Sequence, residues 1–126
     1  AEFRETWSDI FALNKPVAEL LYHLKGKYKL CLLSNVDQIH YDYVRRKYEV
    51  LGVFDHYIAS CELGLRKPDP EIFRHALKVT RSLPEECLYT DDIEEFIKVA
   101  QGLGINAVQF KSAAGFKEEL KKRCII

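Results

Sequence analysis

Residues 29–35 read Lys-Leu-Cys-Leu-Leu-Ser-Asn, and this stretch decides the fold. Its apolar run is short and nearly continuous, the pattern of a strand buried on both faces of a parallel sheet. Helical patterns flank it. Upstream, Asn14 to Lys25 reads as a helix: Asn14 suits the N-cap, Pro16 suits the first turn, and Val17, Leu20, Leu21 and Leu24 share one face before Gly26 stops it. Downstream, Asp37 to Tyr48 is predicted helical, rich in tyrosine and basic residues.

The alternation continues. Tyr57–Ser60 reads as a second strand, followed by a loop with Gly64 and Arg66-Lys67-Pro68-Asp69-Pro70. Asp69 before Pro70 is a good N-cap, so a helix is predicted over Pro70–Thr80. Cys87–Thr90 is a third strand, Asp92–Leu103 a helix with Ile93, Phe96, Ile97, Ala100 and Leu103 as its buried stripe, and Asn106–Phe110 a fourth strand. A last helix covers Ala113–Arg123. Strand and helix alternating at this spacing mean an α/β fold with a parallel sheet and right-handed crossovers.

Composition narrows the function. The 126 residues carry 19 basic and 19 acidic side chains and are 48% hydrophobic. That suffices for one domain with a core and leaves no electrostatic footprint for nucleic acid or an anionic membrane. No apolar run approaches the roughly 20 residues of a membrane-spanning helix, and no signal peptide is visible. Cys31, Cys61, Cys87 and Cys124 lie far apart without a Cys-x-x-Cys, which excludes common zinc ribbons and reads as free thiols in a reducing, cytoplasmic setting. There is no methionine, so Ala1 is expected to follow processing or truncation. The basic ending Lys121-Lys122-Arg123 reads as a helix end that favours the dipole.

Open parallel sheets bind ligands at the carboxyl ends of their strands. Three such ends carry polar chemistry here: Ser34 and Asn35, then Lys67, then Thr90, Asp91 and Asp92. Each has an ordinary alternative. Ser34 suits a helix cap, Lys67 a solvated loop, and Asp91 or Asp92 a cap for the next helix. Together, in one order at one end of a sheet, a hydroxyl, an ammonium and paired carboxylates describe a site for a phosphate dianion and a divalent metal.

Leu32-Leu33-Ser34-Asn35, Gly64-Leu65-Arg66-Lys67-Pro68-Asp69-Pro70 and Tyr89-Thr90-Asp91-Asp92, followed by Ala100 and Leu103-Gly104-Ile105, resemble the haloacid dehalogenase superfamily. The similarity is greatest to its phosphatase-like branch, including sugar-phosphate phosphatases and the amino-terminal domain of soluble epoxide hydrolase. The resemblance implies a three-layer, Rossmann-like fold and Mg²⁺-dependent hydrolysis of a small phosphomonoester through an aspartyl-phosphate. It implies Ser34 and Asn35 as phosphate contacts, and Lys67 as the cation steadying nucleophile and phosphate. Asp92 becomes the magnesium ligand, Asp91 its support, and Glu95 a stand-in for a further acid.

The departure is upstream. The family's nucleophile sits in an Asp-x-Asp after the first strand, and no two aspartates in these 126 residues have that spacing. The sheet is therefore expected to be incomplete at its N-terminal side, lacking the central strand and most of the cap. Residues 1–13, with Phe3, Trp7, Ile10 and Phe11 at helical spacing, are expected to be a remnant of a helical cap, and 14–126 the C-terminal part of the core domain. The chain alone is expected to be inactive and to self-associate or need an upstream segment. The alternatives are a 2-haloacid dehalogenase-like hydrolase, which the paired acids disfavour, and a non-catalytic module of the same fold.

Overall fold

The computed structural model describes residues 2–3, 15–47 and 52–126. In chain order these form β1 (Glu2–Phe3), α1 (Lys15–Leu24), β2 (Cys31–Ser34), α2 (Gln38–Lys47), β3 (His56–Ala59), α3 (Ser60–Leu63) and α4 (Pro70–Thr80). A 3₁₀ turn (Pro84–Glu86), β4 (Leu88–Asp91), α5 (Glu94–Gly102), β5 (Asn106–Gln109) and α6 (Ala113–Lys122) follow. The strands make one sheet in the order β3-β2-β1-β4-β5, and every pairing is parallel.

Side-chain alternation along β2 divides the interior. Leu30 and Leu32 join one core cluster with Val17, Leu20, Leu21 and Leu24 of α1 and Phe116 and Leu120 of α6. Cys31 and Leu33 join the other, with Ile72, Phe73 and Ala76 of α4 and Phe96, Ile97 and Ala100 of α5. A period of two sends neighbours to opposite faces, so this apolar run is read by helices on both sides. The result is the expected three-layer α/β architecture. Burying a side chain such as Leu32 or Leu33 completely contributes about 1.5–3 kcal/mol each.

The local signals act as read. Asp69 Oδ1 accepts from the Glu71 backbone N–H at 2.9 Å, capping α4 with Pro70 as its first residue. Gly26 takes φ +84° just past α1, a conformation that costs glycine little. Most boundaries differ by one or two residues, and two of the differences have a visible cause. The second strand ends at Ala59 because Ser60 opens the single turn α3, closed by Gly64. The helix predicted from Asp92, α5, begins at Glu94, because the Asp91 carboxylate holds the intervening turn by accepting from Ile93 N–H at 3.2 Å.

The central slot requires a correction. Glu2–Phe3, expected within a helical remnant, instead form the strand between β2 and β4, with Glu2 opposite Cys31 and Tyr89 and Phe3 opposite Thr90. The facing edges of β2 and β4 carry backbone donors and acceptors that need partners, and an extended segment satisfies them where a helix cannot. Among the described residues the strand spans two positions against four in each neighbour. The rest of the expected helical remnant, residues 4–13, lies outside the described residues.

Candidate active site

The strand order runs outward in both directions from β1, which places the topological switch point between β1 and β4. Crevices at such points are where open α/β sheets bind ligands. Ser34 closes β2 and Asp91 closes β4, on either side of that point.

Lys67 comes from the loop between α3 and α4, and its side chain runs into the interior. Its Nζ donates to Asp91 Oδ2 at 2.7 Å and to the Leu33 carbonyl at 3.1 Å, with Lys67 and Asp91 both fully buried. The ammonium also lies 5.1 Å from the centre of the Phe96 ring. A buried ammonium without a counter-charge costs several kcal/mol, so Asp91 is what allows Lys67 to be there. Asn35 anchors the loop itself: Lys67 N–H donates to its Oδ1 at 2.8 Å, and its Nδ2 donates to the Lys67 carbonyl at 2.9 Å.

Sequence reading missed Tyr89. Its hydroxyl donates to Asp91 Oδ2 at 2.6 Å, the oxygen that also receives Lys67. The signal was available in the spacing, because residues two apart on a strand share a face. Tyr89 is itself fully buried and stacks edge-on with Phe73, 5.1 Å between ring centres.

The structure therefore brings Asn35, Lys67 and Asp91 into one bonded network, and distinguishes Ser34 from it. Ser34 Oγ is buried and has no hydrogen-bond partner among the described residues, so it is not a helix cap. Asp91 takes the turn-holding role through Oδ1 while Oδ2 serves Lys67. Asp92, one residue on, is half-buried, and its carbonyl accepts from Gln109 Nε2 at 3.1 Å. Glu95 is exposed in the first turn of α5, and Glu94 pairs with Lys98 at 3.6 Å as a surface pair.

Magnesium is commonly held by one or two carboxylates together with substrate phosphate and water. Asp92 fits as one such carboxylate. Among the described residues no three metal-ligating side chains gather, so the set present is partial. Of the candidate residues, Asn35 lines a cavity of about 660 Å³, together with Asp37, Ser60 and Arg66 among others. Ser60 Oγ closes its wall, accepting from Val36 N–H at 2.9 Å and donating to the Val36 carbonyl at 3.2 Å. Burial, aided by the neighbouring Glu62 charge, pushes the Cys61 thiol there above its ordinary pKa, which keeps it neutral.

Comparison with known proteins bears on family and fold. The family model described as haloacid dehalogenase-like hydrolase matches residues 2–104. Bifunctional epoxide hydrolase 2 of Rattus norvegicus is 28% identical over 116 residues, covering 88% of this chain and 21% of that protein. The D-ribitol-5-phosphate phosphatase of Bacteroides thetaiotaomicron is 35% identical over 66 residues, 52% of this chain and 32% of that protein. A haloacid dehalogenase family enzyme from the same organism, solved in complex with magnesium and inorganic phosphate, superposes with a TM-score of 0.71 at 34% identity, covering 77% of this chain and 52% of that one. The chain thus spans from about a fifth to about half the length of these relatives. With the motifs, the parallel sheet and a family match over most of its length in agreement, the chain belongs to the haloacid dehalogenase-like hydrolases.

Proposed function

We propose that this chain is the C-terminal portion of a Mg²⁺-dependent phosphatase acting on a small phosphomonoester through an aspartyl-phosphate, with the nucleophile outside these 126 residues. One observation carries the reading: the fully buried Lys67–Asp91 pair stands at the carboxyl ends of the strands, with the Ser34 hydroxyl, unpartnered among the described residues, at the end of β2. A buried hydroxyl without a partner forfeits about 1–3 kcal/mol, which a phosphate oxygen within reach would recover. The relatives solved with magnesium and inorganic phosphate support the same ligand pair.

In this reading Ser34 binds the phosphoryl group, Asn35 beside it orients the site by fixing the Lys67 backbone, and Lys67 balances the charge. Asp91 holds Lys67 in place, with Tyr89 fixing Asp91. Asp92 contributes the carboxylate for Mg²⁺, and the metal, when bound, supplies charge neutralisation for phosphoryl oxygens. A 2-haloacid dehalogenase would need neither the second acid nor a metal, so Asp92 favours phosphate.

The test is titration of the isotopically labelled chain with Mg²⁺ and inorganic phosphate, followed by amide shifts of residues 34–36 and 90–93. Saturable shifts that disappear in Ser34→Ala and Asp92→Ala are expected, with no phosphate-ester hydrolysis by the chain alone. Mg²⁺-dependent hydrolysis abolished by Asp92→Ala would overturn the assignment of the nucleophile to another segment. Absence of binding would overturn the phosphoryl site.

A further inference from the structure

The cavity of about 660 Å³ beside the Asn35–Lys67 clamp has more recognition chemistry than a phosphoryl group alone requires. Its polar walls are largely committed. Asn35 spends its amide on the Lys67 backbone, and Ser60 spends its hydroxyl on Val36. Cys61 is a neutral thiol, since burial raises its pKa. Leu65 adds apolar surface.

Arg66 differs from these. It lines the cavity and is exposed, and among the described residues its guanidinium makes no hydrogen bond, ion pair or ring contact. It is also one residue from Lys67, whose backbone is fixed at both its N–H and its carbonyl. The Lys67 ammonium is buried against Asp91. Arg66, next to it on the same fixed loop, lines the cavity that Asn35, next to Ser34, also lines, so a molecule whose phosphoryl group reaches Ser34 can extend a second anionic group towards Arg66. Asp37 on the same cavity repels an anion on its own side, which leaves the Arg66 side for it. Guanidinium matches a carboxylate through two parallel N–H···O bonds.

Resting on the phosphoryl site proposed above, we infer that Arg66 forms a leaving-group subsite selecting phosphomonoesters whose short organic part carries a carboxylate. The subsite sets which ester is held, while Ser34 and Lys67 hold the phosphoryl group common to all of them.

Two probes with one carbon skeleton separate the claims: 3-phosphoglycerate, which carries the carboxylate, and glycerol 3-phosphate, which carries a hydroxymethyl group instead. Each is titrated by calorimetry into the full chain with Mg²⁺, using the wild type, Arg66→Gln, Arg66→Lys and Ser34→Ala. The carboxylate probe is expected to bind about tenfold more tightly, the ratio corresponding to one charge-assisted pair. Arg66→Gln should bring the two affinities together while leaving glycerol 3-phosphate unchanged, and Arg66→Lys should keep part of the preference. Equal binding of both probes to the wild type, with both sensitive to Ser34→Ala, would overturn the subsite and leave the phosphoryl site standing. Binding of 3-phosphoglycerate that needs Arg66 but ignores Ser34→Ala would uphold an anion site at Arg66 and overturn the phosphoryl site. No binding of either would overturn both.

Discussion

The Nζ of Lys67 lies 2.7 Å from Oδ2 of Asp91, and neither side chain has any exposed surface. The two reach each other from different parts of the chain, one from the loop before α4 and the other from the end of β4. Because both are withdrawn from water, each is the condition for the other being charged there, and removal of one leaves an uncompensated buried ion. Lys67→Met is therefore expected to lower unfolding free energy by about 3–5 kcal/mol in urea titrations. The double variant Lys67→Met with Asp91→Leu should cost clearly less than the two single changes added together. Simple additivity would show that the pair is not energetically coupled.

Tyr89 shares the same carboxylate oxygen at 2.6 Å. Tyr89→Phe keeps the ring against Phe73 and removes only the donor, so a loss of about 1–3 kcal/mol is expected in the same titration. Unchanged stability would mean that the hydroxyl contributes nothing to holding Asp91.

Ser34 should behave in the opposite sense. Its hydroxyl is buried without a partner among the described residues, so Ser34→Ala removes a desolvated group without breaking a hydrogen bond. Thermal denaturation is expected to show unchanged or raised stability, while Mg²⁺-dependent phosphate binding is lost. A marked fall in melting temperature would assign the hydroxyl to the architecture instead.

Asp55 links stability to acid. Its Oδ2 accepts from Leu30 N–H at 2.8 Å, and this bond, with the Lys25 charge beside it, holds the carboxyl below its ordinary value of 3.8. With a lowered folded pKa the unfolded chain takes up the proton first. The contribution is thus fully present above the ordinary carboxylate range and lost as pH falls through it towards the folded value. Asp55→Asn should flatten this part of the stability profile below about pH 4, compared by urea unfolding at successive pH values. An identical acid limb in the variant would refute the linkage.

Tyr41 gives the alkaline counterpart. Burial raises its hydroxyl to about 12 despite the nearby Arg45. A raised folded pKa means stability is complete below about pH 10, the free tyrosine value, and is lost as pH climbs from there. Ultraviolet difference titration of wild type against Tyr41→Phe should show that the tyrosinate signal missing from the variant appears well above about pH 10. Its appearance with the exposed tyrosines would contradict the burial.

Much of the molecule follows from sequence alone. Leu30 to Leu33, a short continuous apolar run between helical patterns, reads as a strand covered on both faces, and Asp69-Pro70 reads as a helix start. The order Ser34, Lys67, Asp91 along the chain, each after a strand, was enough to place the polar chemistry at one end of a parallel sheet. Tertiary structure decided which of these groups meet. Lys67 has no local reason to turn inward from an exposed loop, and only Asp91 and the Leu33 carbonyl, both distant in sequence, make its burial affordable. The cap that was the ordinary alternative for Ser34 is not formed, and the following turn is held instead by Ser60 against Val36. Glu2 and Phe3 carried no strand signal of their own, yet they pair with β2 and β4, because unpaired backbone at the centre of a sheet costs more than the local preference of two residues. Local spacing determines the periodicity of each element, while the partners of buried charges and open edges are set by segments that meet only once the chain has folded.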